Sequence, residues 1–449
     1  MRQAVVVLAA LSAFCASAEA RVIPVPDSAS TIQAGINAAA SGDTVLVAPG
    51  TYLENPTWAG KSLTLASHYL IGGDTAYIDS TVIDGNHAGT VVSCGVDVDT
   101  TALICGFTIR NGNDDNGGGI LCSGGSPTIT HNIIEDNSTS SDGAGVMLMY
   151  RAAPVIERNT IRHNQSQSWG GGIYVCDGSS ARVRWNVLYD NGVAKGGAAA
   201  QAGGARFVAG RVVAAGRDPG PFAENGGGIL VTNYQGLVTS PVIHNNTIVD
   251  NEAAAKGGGI YSNRATPDIR NNIVVANGDY GIYSAESTLV CDYNDVWSND
   301  TNYGGAASAG TGALSDNPLF LDSLAHDYHL ATGSPCIDAG DPSLPKDPDS
   351  TRSDMGAFYA PPTGVAGNSP VRFRRPLLVR PNPFAGSATA VPAAGLVVYD
   401  AAGNIVERPG ANRFGTGLAA GVYFVRADGF SPTRVVKLDR VQQAGHGGR

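Results

Sequence analysis

PTITHNIIEDN (127–137), PVIERNTIRHN (154–164), ARVRWNVLYDN (181–191), PVIHNNTIVDN (241–251) and PDIRNNIVVAN (267–277) are five copies of one phrase. A looser sixth, VCDYNDVWSN, covers 290–299. Each copy carries two asparagines five residues apart: Asn132 and Asn137, Asn159 and Asn164, Asn186 and Asn191, Asn246 and Asn251, Asn272 and Asn277, Asn294 and Asn299. Successive copies are offset by 27, 27, 60, 26 and 22 residues. Glycine clusters keep the same beat: GGGI at 117–120, GAGV at 143–146, GGGI at 170–173, 226–229 and 257–260, and YGIY at 280–283. A period in the twenties means a solenoid of stacked units, none of which can bury its apolar face alone.

The runs between the asparagines are short, β-branched and alternating, which suits strands and not helices. A coil of this length holds three short strands and three turns. Stacking then places Ile129, Ile156, Val183, Ile243 and Ile269 in one interior column. A second column takes Ile134, Ile161, Leu188, Ile248, Val274 and Val296. An asparagine at a turn adopts left-handed dihedrals readily, and its amide can bond to its neighbours up and down the stack. Such a ladder satisfies polar groups that the coil would otherwise bury bare. Glycine supplies the tight corners. The expected fold is all-β: a right-handed parallel β-helix solenoid followed by a small antiparallel β-sandwich.

The repeated phrase resembles that of the pectin-lyase-like superfamily over roughly residues 30–300. The match is to the generic repeat. In that group, lyases and hydrolases act in a groove on one face, through clustered carboxylates or a basic residue with Ca2+.

Residues 1–20 join a basic Arg2, the apolar run Ala4–Phe14 and two A-x-A sequences, the pattern of a secretory signal peptide. No later run reaches the ~18 apolar residues of a spanning helix, so the expected product is secreted or held at the bacterial cell surface. The net charge of −10 argues against nucleic-acid binding. Cys94, Cys105, Cys122, Cys176, Cys291 and Cys336 remain after the leader. They either form disulfides or stack inside the coils as small hydrophobes. With no C-x-x-C, a zinc site is not expected.

The solenoid is expected over 21–359. Ser30 and Gln33 suggest a capping box for a helix at about 30–41, with Ile32 and Ile36 on one face, plugging the open end of the stack. TIQAGINAAASGDTVLVAPGTYLEN resembles the opening of many secreted β-helix proteins. The 60-residue step holds either one degenerate coil or an insertion at about 192–225. From about 300 to 359 the repeat dissolves, and LSDNPLFLDSLAHDYHLATGSPCIDAGDP with DMGAF resembles the terminal segment of a group of secreted bacterial β-helix proteins.

After a linker at 360–370, residues 371–449 carry alternating strands joined by Gly and Asn turns. PNPF (381–384), VVYDAAGNIV (397–406) and GVYFVR (421–426) resemble the C-terminal sorting domain of the type IX secretion system and its Ig-like relative in hook-capping proteins. That resemblance implies delivery by a secretion machinery. No strand is evident between Pro383 and Leu396.

The residues preceding the second asparagines, Asp136, His163, Asp190 and Asp250, form a column with Glu135, Arg162 and Tyr189 beside it. Glu135, Asp136, Arg162, His163 and Asp190 are the candidate catalytic set, able to bind a sugar chain or a cation. A column of aspartates at turns also needs no function. Trp169, Tyr174, Arg184, Trp185, Tyr189 and Lys195 are candidates for contacting a glycan. Asp338, Asp341, Asp347 and Asp349 could hold Ca2+, or serve simply as turn formers. Asn113–Asn116 reads as a loop. The catalytic signatures of the pectin-active families are not recognisable, so the expectation leans toward a non-catalytic glycan-binding, structural or adhesive protein that requires no cofactor. A lyase, hydrolase or epimerase acting on an acidic polysaccharide such as pectin or alginate is the alternative.

Overall fold

The structure is a computed structural model that describes residues 20–193, 225–233 and 236–360, together with seven strands and a few single residues between 378 and 437. The expected leader, most of the 192–225 stretch including Lys195, and the linker lie outside the described residues.

Every coil contributes a strand to each of three long parallel sheets. The first sheet has 10 strands, from Val22–Val25 to Val290–Asp292. The second has 9, from Gly50–Leu53 to Asp295–Trp297, and the third also has 9, from Thr57–Trp58 to Thr301–Gly305. A fourth, 4-stranded sheet runs between the second and third and includes Asn113–Asn116, the stretch expected to be a loop. Register places Ile129 beside Ile156 and Ile156 beside Val183 in the first sheet. In the second, Ile134 lies beside Ile161 and Ile161 beside Leu188. All of these are fully buried. A third interior column comes from Cys94, Cys122, Leu148, Val175 and Val231. The six cysteines are free thiols and all are buried; Cys94, Cys122 and Cys291 lie in the solenoid core as small hydrophobes, and Cys336 lies in the end segment.

The corners revise one detail of the expectation. The left-handed residue is not the asparagine but the residue before it. His131, Arg158, Trp185, Asn245, Asn271 and Tyr293 precede the first asparagines; Asp136, His163, Asp190, Asp250, Ala276 and Ser298 precede the second. All have φ between +52° and +56°. One left-handed residue between two extended ones turns the chain sharply and throws its own side chain outward, leaving the next residue facing in. That next residue is the asparagine. Each left-handed, non-glycine corner costs about 1–2 kcal/mol, and the amide offsets it. Asn186 Nδ2 donates to Ile156 O, Arg184 O and Asn246 Oδ1 at 2.8–3.0 Å. Its own Oδ1 accepts from the backbone N and Nδ2 of Asn159, each at 3.0 Å.

The glycine clusters follow from the same stacking. Gly170 has φ +69°, and a Cβ on Gly172 would lie 2.4 Å from Gly228 O on the next coil. GGGI is therefore a close-approach element.

The long step resolves into an insertion. Asn186 bonds directly to Asn246, and Asn191 to Asn251. Arg182–Arg184 pairs with Val242–His244, and Ile173–Val175 with Ile229–Val231. The coils on either side of the long step are therefore direct neighbours in the described stack.

The opening helix is Ile32–Ala38, shorter than expected, and Thr31 rather than Ser30 caps it by accepting from Ala34 N. The carboxylate of Glu54, just after the strand Gly50–Leu53, accepts from Ile32 N and Gln33 N at 2.9 and 3.0 Å. No local capping box is needed. Ile32 and Ile36 are buried over the first coil.

At the other end, residues 314–360 lie along the outer face of the second sheet. Met355 and Cys336 are fully buried against Ile273 and Val275. Asn245 Nδ2 donates to Asp354 O, Gly356 N to Asn271 O, and Ala357 N to Thr247 Oγ1 at 2.7–3.0 Å. Gly356 has φ +92°, and a Cβ there would lie 2.7 Å from Ile273 Cδ1. DMGAF is thus the clamp of this segment.

The described C-terminal strands form two antiparallel sheets. One joins Leu378–Arg380, Ala388–Val391 and Arg413–Phe414, supplying the strand that the sequence did not reveal between Pro383 and Leu396. The other orders Ile405–Glu407, Val397–Asp400, Gly421–Arg426 and Thr433–Lys437. Among the described residues, no helix is long and apolar enough to cross a membrane.

The ladder predicts position-dependent stability. Asn186→Ala removes five mid-stack hydrogen bonds and leaves buried groups unpaired, so it should cost about 3 kcal/mol or more. Asn299→Ala, at the less buried end, should cost about 1 kcal/mol. Urea unfolding of the two variants checks this, and equal losses would contradict the ladder account.

Candidate functional site

The second sheet is the face on which the candidate residues meet. Outward positions alternate with the interior column along each three-residue strand. Toward its beginning, the helices Tyr69–Gly72 and Ala76–Ser80 close over it: Thr108 Oγ1 donates to Ile78 O at 3.0 Å, and Tyr69 packs on His131 with ring centroids 4.9 Å apart. Toward its end, the 314–360 segment covers Val187, Tyr189 and Val249, with Tyr328 and Phe320 in the same apolar cluster. Between these brackets, Arg110, Ile133, Glu135, Thr160 and Arg162 remain partly exposed. What remains open is a strip of the second sheet, the trough, about 15 Å wide, one strand and its corners.

The floor is an alternating charge ladder. Arg110 Nε donates to Asp84 Oδ2 at 3.0 Å. On the following coils, Arg162 Nε donates to Glu135 Oε2 at 2.7 Å, and its Nη1 to Tyr189 Oη at 2.7 Å. Burial alone would lower the Arg162 pKa. The hydrogen bond and charge of Tyr189, together with Glu135, outweigh it and hold the guanidinium above its ordinary value. Burial pushes the Tyr189 phenol up. Neither group is set up as a neutral-pH base.

One flank is the second-corner column. His163 lies between two carboxylates, with Nδ1 3.7 Å from Asp136 Oδ1 and Nε2 3.6 Å from Asp190 Oδ2. The side chains of His163 and Asp136 are 43% and 55% exposed, so both are open to ligands. Desolvation by neighbouring protein and the charge of Glu135 raise the Asp136 pKa. Asp250, next beyond Asp190, is pushed up to about 6 by desolvation and by the Asp190 charge.

The other flank is basic and aromatic. The guanidiniums of Arg158 and Arg184 each lie 4.4 Å from the ring centroid of Trp185. The two arginines share one carboxylate, Glu157, at 3.2 and 2.8 Å, which leaves this corner with a positive excess. The end wall is His326 stacked on Tyr189 with centroids 4.4 Å apart, His326 Nδ1 being 3.1 Å from Tyr328 Oη.

The structure thus brings Glu135, Asp136, Arg162, His163, Asp190 and Tyr189 together, with Arg184 and Trp185 on the adjoining corner. It separates two others. Tyr174 is buried against Met147 and Leu230 on the third sheet, and Trp169 packs at the edge of that cluster. Apolar outward neighbours on that sheet cover the aromatic rings, so neither side chain faces the trough. His326 and Tyr328 were missed because they come from the aperiodic segment, and nothing in their spacing ties them to Tyr189.

Three of the four aspartates considered for Ca2+ have partners of their own for their carboxylates. Asp341 Oδ2 accepts from Arg270 Nη1 at 2.6 Å, and its Oδ1 from Ser343 N and Oγ. Asp349 closes a turn on Thr351, and Asp347 accepts from Asp354 N. Asp338 N donates to Asp354 Oδ1. These residues fix the end segment.

A family model described as right handed beta helix region matches residues 65–211, a stretch that contains the trough. The chain is a right-handed parallel β-helix. A solved structure titled "Crystal structure of pectate lyase Pel9A" aligns with TM-score 0.40 and 14% identity, over 76% of this chain and 96% of that one. No curated protein matches.

Asp250 makes the flank pH-sensitive. A carboxyl that titrates near 6 when folded and near about 3.9 when unfolded penalises the folded state once pH exceeds both values. Asp250→Asn should melt higher than wild type at pH 7.5, with the gap closing between pH 6 and 4. His131, pushed down to about 4 by burial and by the Arg158 charge, loses stability in acid instead. That effect is common to both proteins and cancels in the difference.

Proposed function

We propose that this chain is an exported protein of the bacterial cell surface or extracellular space that binds an acidic polysaccharide in the second-sheet trough without cleaving it. The observation that carries this reading is the bracketed trough itself. It is open along the solenoid axis for a few coils at about 4.8 Å each, closed at both ends by packed segments, and flanked by Trp185 between two guanidiniums. A chain of sugars lying along it meets an aromatic edge and positive charge on one side. Arg162 and the carboxylates supply hydrogen-bonding groups beneath. Aromatic and guanidinium surfaces suit sugar faces and uronate carboxylates.

The same geometry argues against base catalysis by Arg162, which is held protonated by Tyr189 and Glu135. Glu135 is engaged by that arginine. His163, between two carboxylates, is the group best placed to move a proton, so a lyase or hydrolase reading would run through it. The leader-like N-terminus and the sorting-domain phrases support export, with the C-terminal module delivering or anchoring the solenoid.

Retention on immobilised uronate and neutral glycans, alongside absorbance at about 232–235 nm and reducing-sugar release, tests this reading. The expected outcome is retention on an acidic glycan, weakened about tenfold or more by Trp185→Ala or Arg184→Ala, with no product. Product that disappears in His163→Asn would replace the binding reading with a catalytic one.

A further inference from the structure

Glu135 ends a second-sheet strand, Asp136 is the corner that follows, and His163 is the equivalent corner one coil on. Their backbone positions are fixed by the parallel ladder and by the Asn137–Asn164 amide bond at 2.9 Å. One potential ligand atom from each of the three lies within 4.8 Å of the other two. Among the described residues, no other set of three His, Cys, Asp or Glu side chains meets that condition.

We propose that Glu135, Asp136 and His163 form a binding site for one divalent transition-metal ion of the zinc, cobalt or nickel class. An ion with ligands at about 2.0–2.1 Å in tetrahedral geometry needs them about 3.0–3.5 Å apart. His163 Nδ1 and Asp136 Oδ1 already stand at 3.7 Å. The remaining closure requires rotation of the Asp136 and His163 side chains, 55% and 43% exposed, toward Glu135, which is 14% exposed and held by Arg162. Arg162 holds Glu135 through Oε2, which orients that carboxylate and leaves its other oxygen unclaimed by the arginine.

Asp190 stands behind the ring. Its Oδ2 is 3.6 Å from His163 Nε2, just beyond hydrogen-bonding reach, so a small side-chain rotation on metal binding would let it act as the outer carboxylate that holds the proton on Nε2 and leaves Nδ1 as the ligand. Nδ1 and the Asp136 carboxylate oxygen, 3.7 Å apart, would then both bond to a cation placed between them. An imidazole nitrogen with two carboxylate oxygens selects borderline ions over Ca2+ and Mg2+, which prefer all-oxygen shells. Three protein ligands leave at least one coordination position open to water. The site does not depend on the glycan reading and is testable without any glycan.

The chain is stripped with EDTA, exchanged into non-chelating buffer at pH 7.5, and titrated with Zn2+ by calorimetry and with Co2+ by visible absorption. One site per chain is expected, weakened at least 30-fold in His163→Asn and about tenfold in Asp136→Asn, Glu135→Gln and Asp190→Asn, in keeping with the usual 10–100-fold effect of outer partners. His329→Asn, which removes an imidazole paired with Asp327 at 2.6 Å, should leave binding intact. Asparagine tolerates the left-handed corner, so the corner variants should fold, and their melting temperatures without metal confirm it. Zn2+ should raise the wild-type melting temperature and leave that of His163→Asn unchanged. Absence of a one-to-one site, undiminished affinity in His163→Asn, or Ca2+ binding as tightly as Zn2+ would each overturn the proposal.

Discussion

The structure depends on the corner amides. Parallel strands of three residues cannot hold a coil by themselves, because two turns in each repeat force an L-residue into left-handed geometry and turn a polar residue inward. Asn132 through Asn294 in one column, and Asn137 through Asn299 in the other, meet both demands with one side chain. Each amide bridges its own coil and its neighbours. At the start of the stack the ladder is closed by backbone: Phe107 N donates to Asn132 Oδ1 and Gly112 N to Asn137 Oδ1, at 3.1 and 2.9 Å. The asparagine is therefore fixed by the fold, while the residue before it is held outward at a constant spacing. Those preceding positions are where this protein can vary its surface without altering its core.

The two corner columns exploit that freedom in opposite ways. One displays Arg158 and Trp185, the other Asp136, His163, Asp190 and Asp250, and the second sheet separates them. Charge on the strand itself is paired along the stack, Asp84 with Arg110 and Glu135 with Arg162. Paired charges stabilise the floor modestly and are poorly suited to chemistry, because each group is already engaged. The corner groups are less constrained. His163 has two carboxylates within 4 Å and lies within hydrogen-bonding distance of neither, so its charge and lone pairs are left uncompensated. The functional argument concentrates there for that reason.

Much of this was legible in the sequence, because a period converts distance along the chain into adjacency. Asp136, His163 and Asp190 are 27 residues apart in sequence and neighbours in space, so their juxtaposition followed from counting. The interior columns followed in the same way. Where periodicity stops, the reading loses its purchase. Glu54 caps the first helix across more than twenty residues, a contact that no local motif announces. His326 reaches Tyr189 from an aperiodic segment, and Tyr174 has the spacing of an exposed aromatic but lies within an apolar cluster. Alternation says that two faces exist; it does not say which one another segment will cover.

The end segment illustrates what that covering does. Its first residues continue the second sheet past the last coil, Leu314 N donating to Asn294 O and Val296 N to Leu314 O; beyond them, Met355 and Cys336 pack along the side of the last coils and Arg270 pairs with Asp341 at 2.6 Å. Burying those outer positions removes them from the ligand-accessible surface and ends the trough at the Tyr189 and His326 stack. The same residues that stabilise the C-terminal coils therefore set the length of the exposed floor. Its chemistry comes from corner residues that the fold leaves unconstrained, its dimensions from a clamp that the repeat does not encode. Loosening the DMGAF clamp would lengthen the trough toward Val249 and Val275, an apolar extension; the polar character of the site thus depends on that segment staying docked.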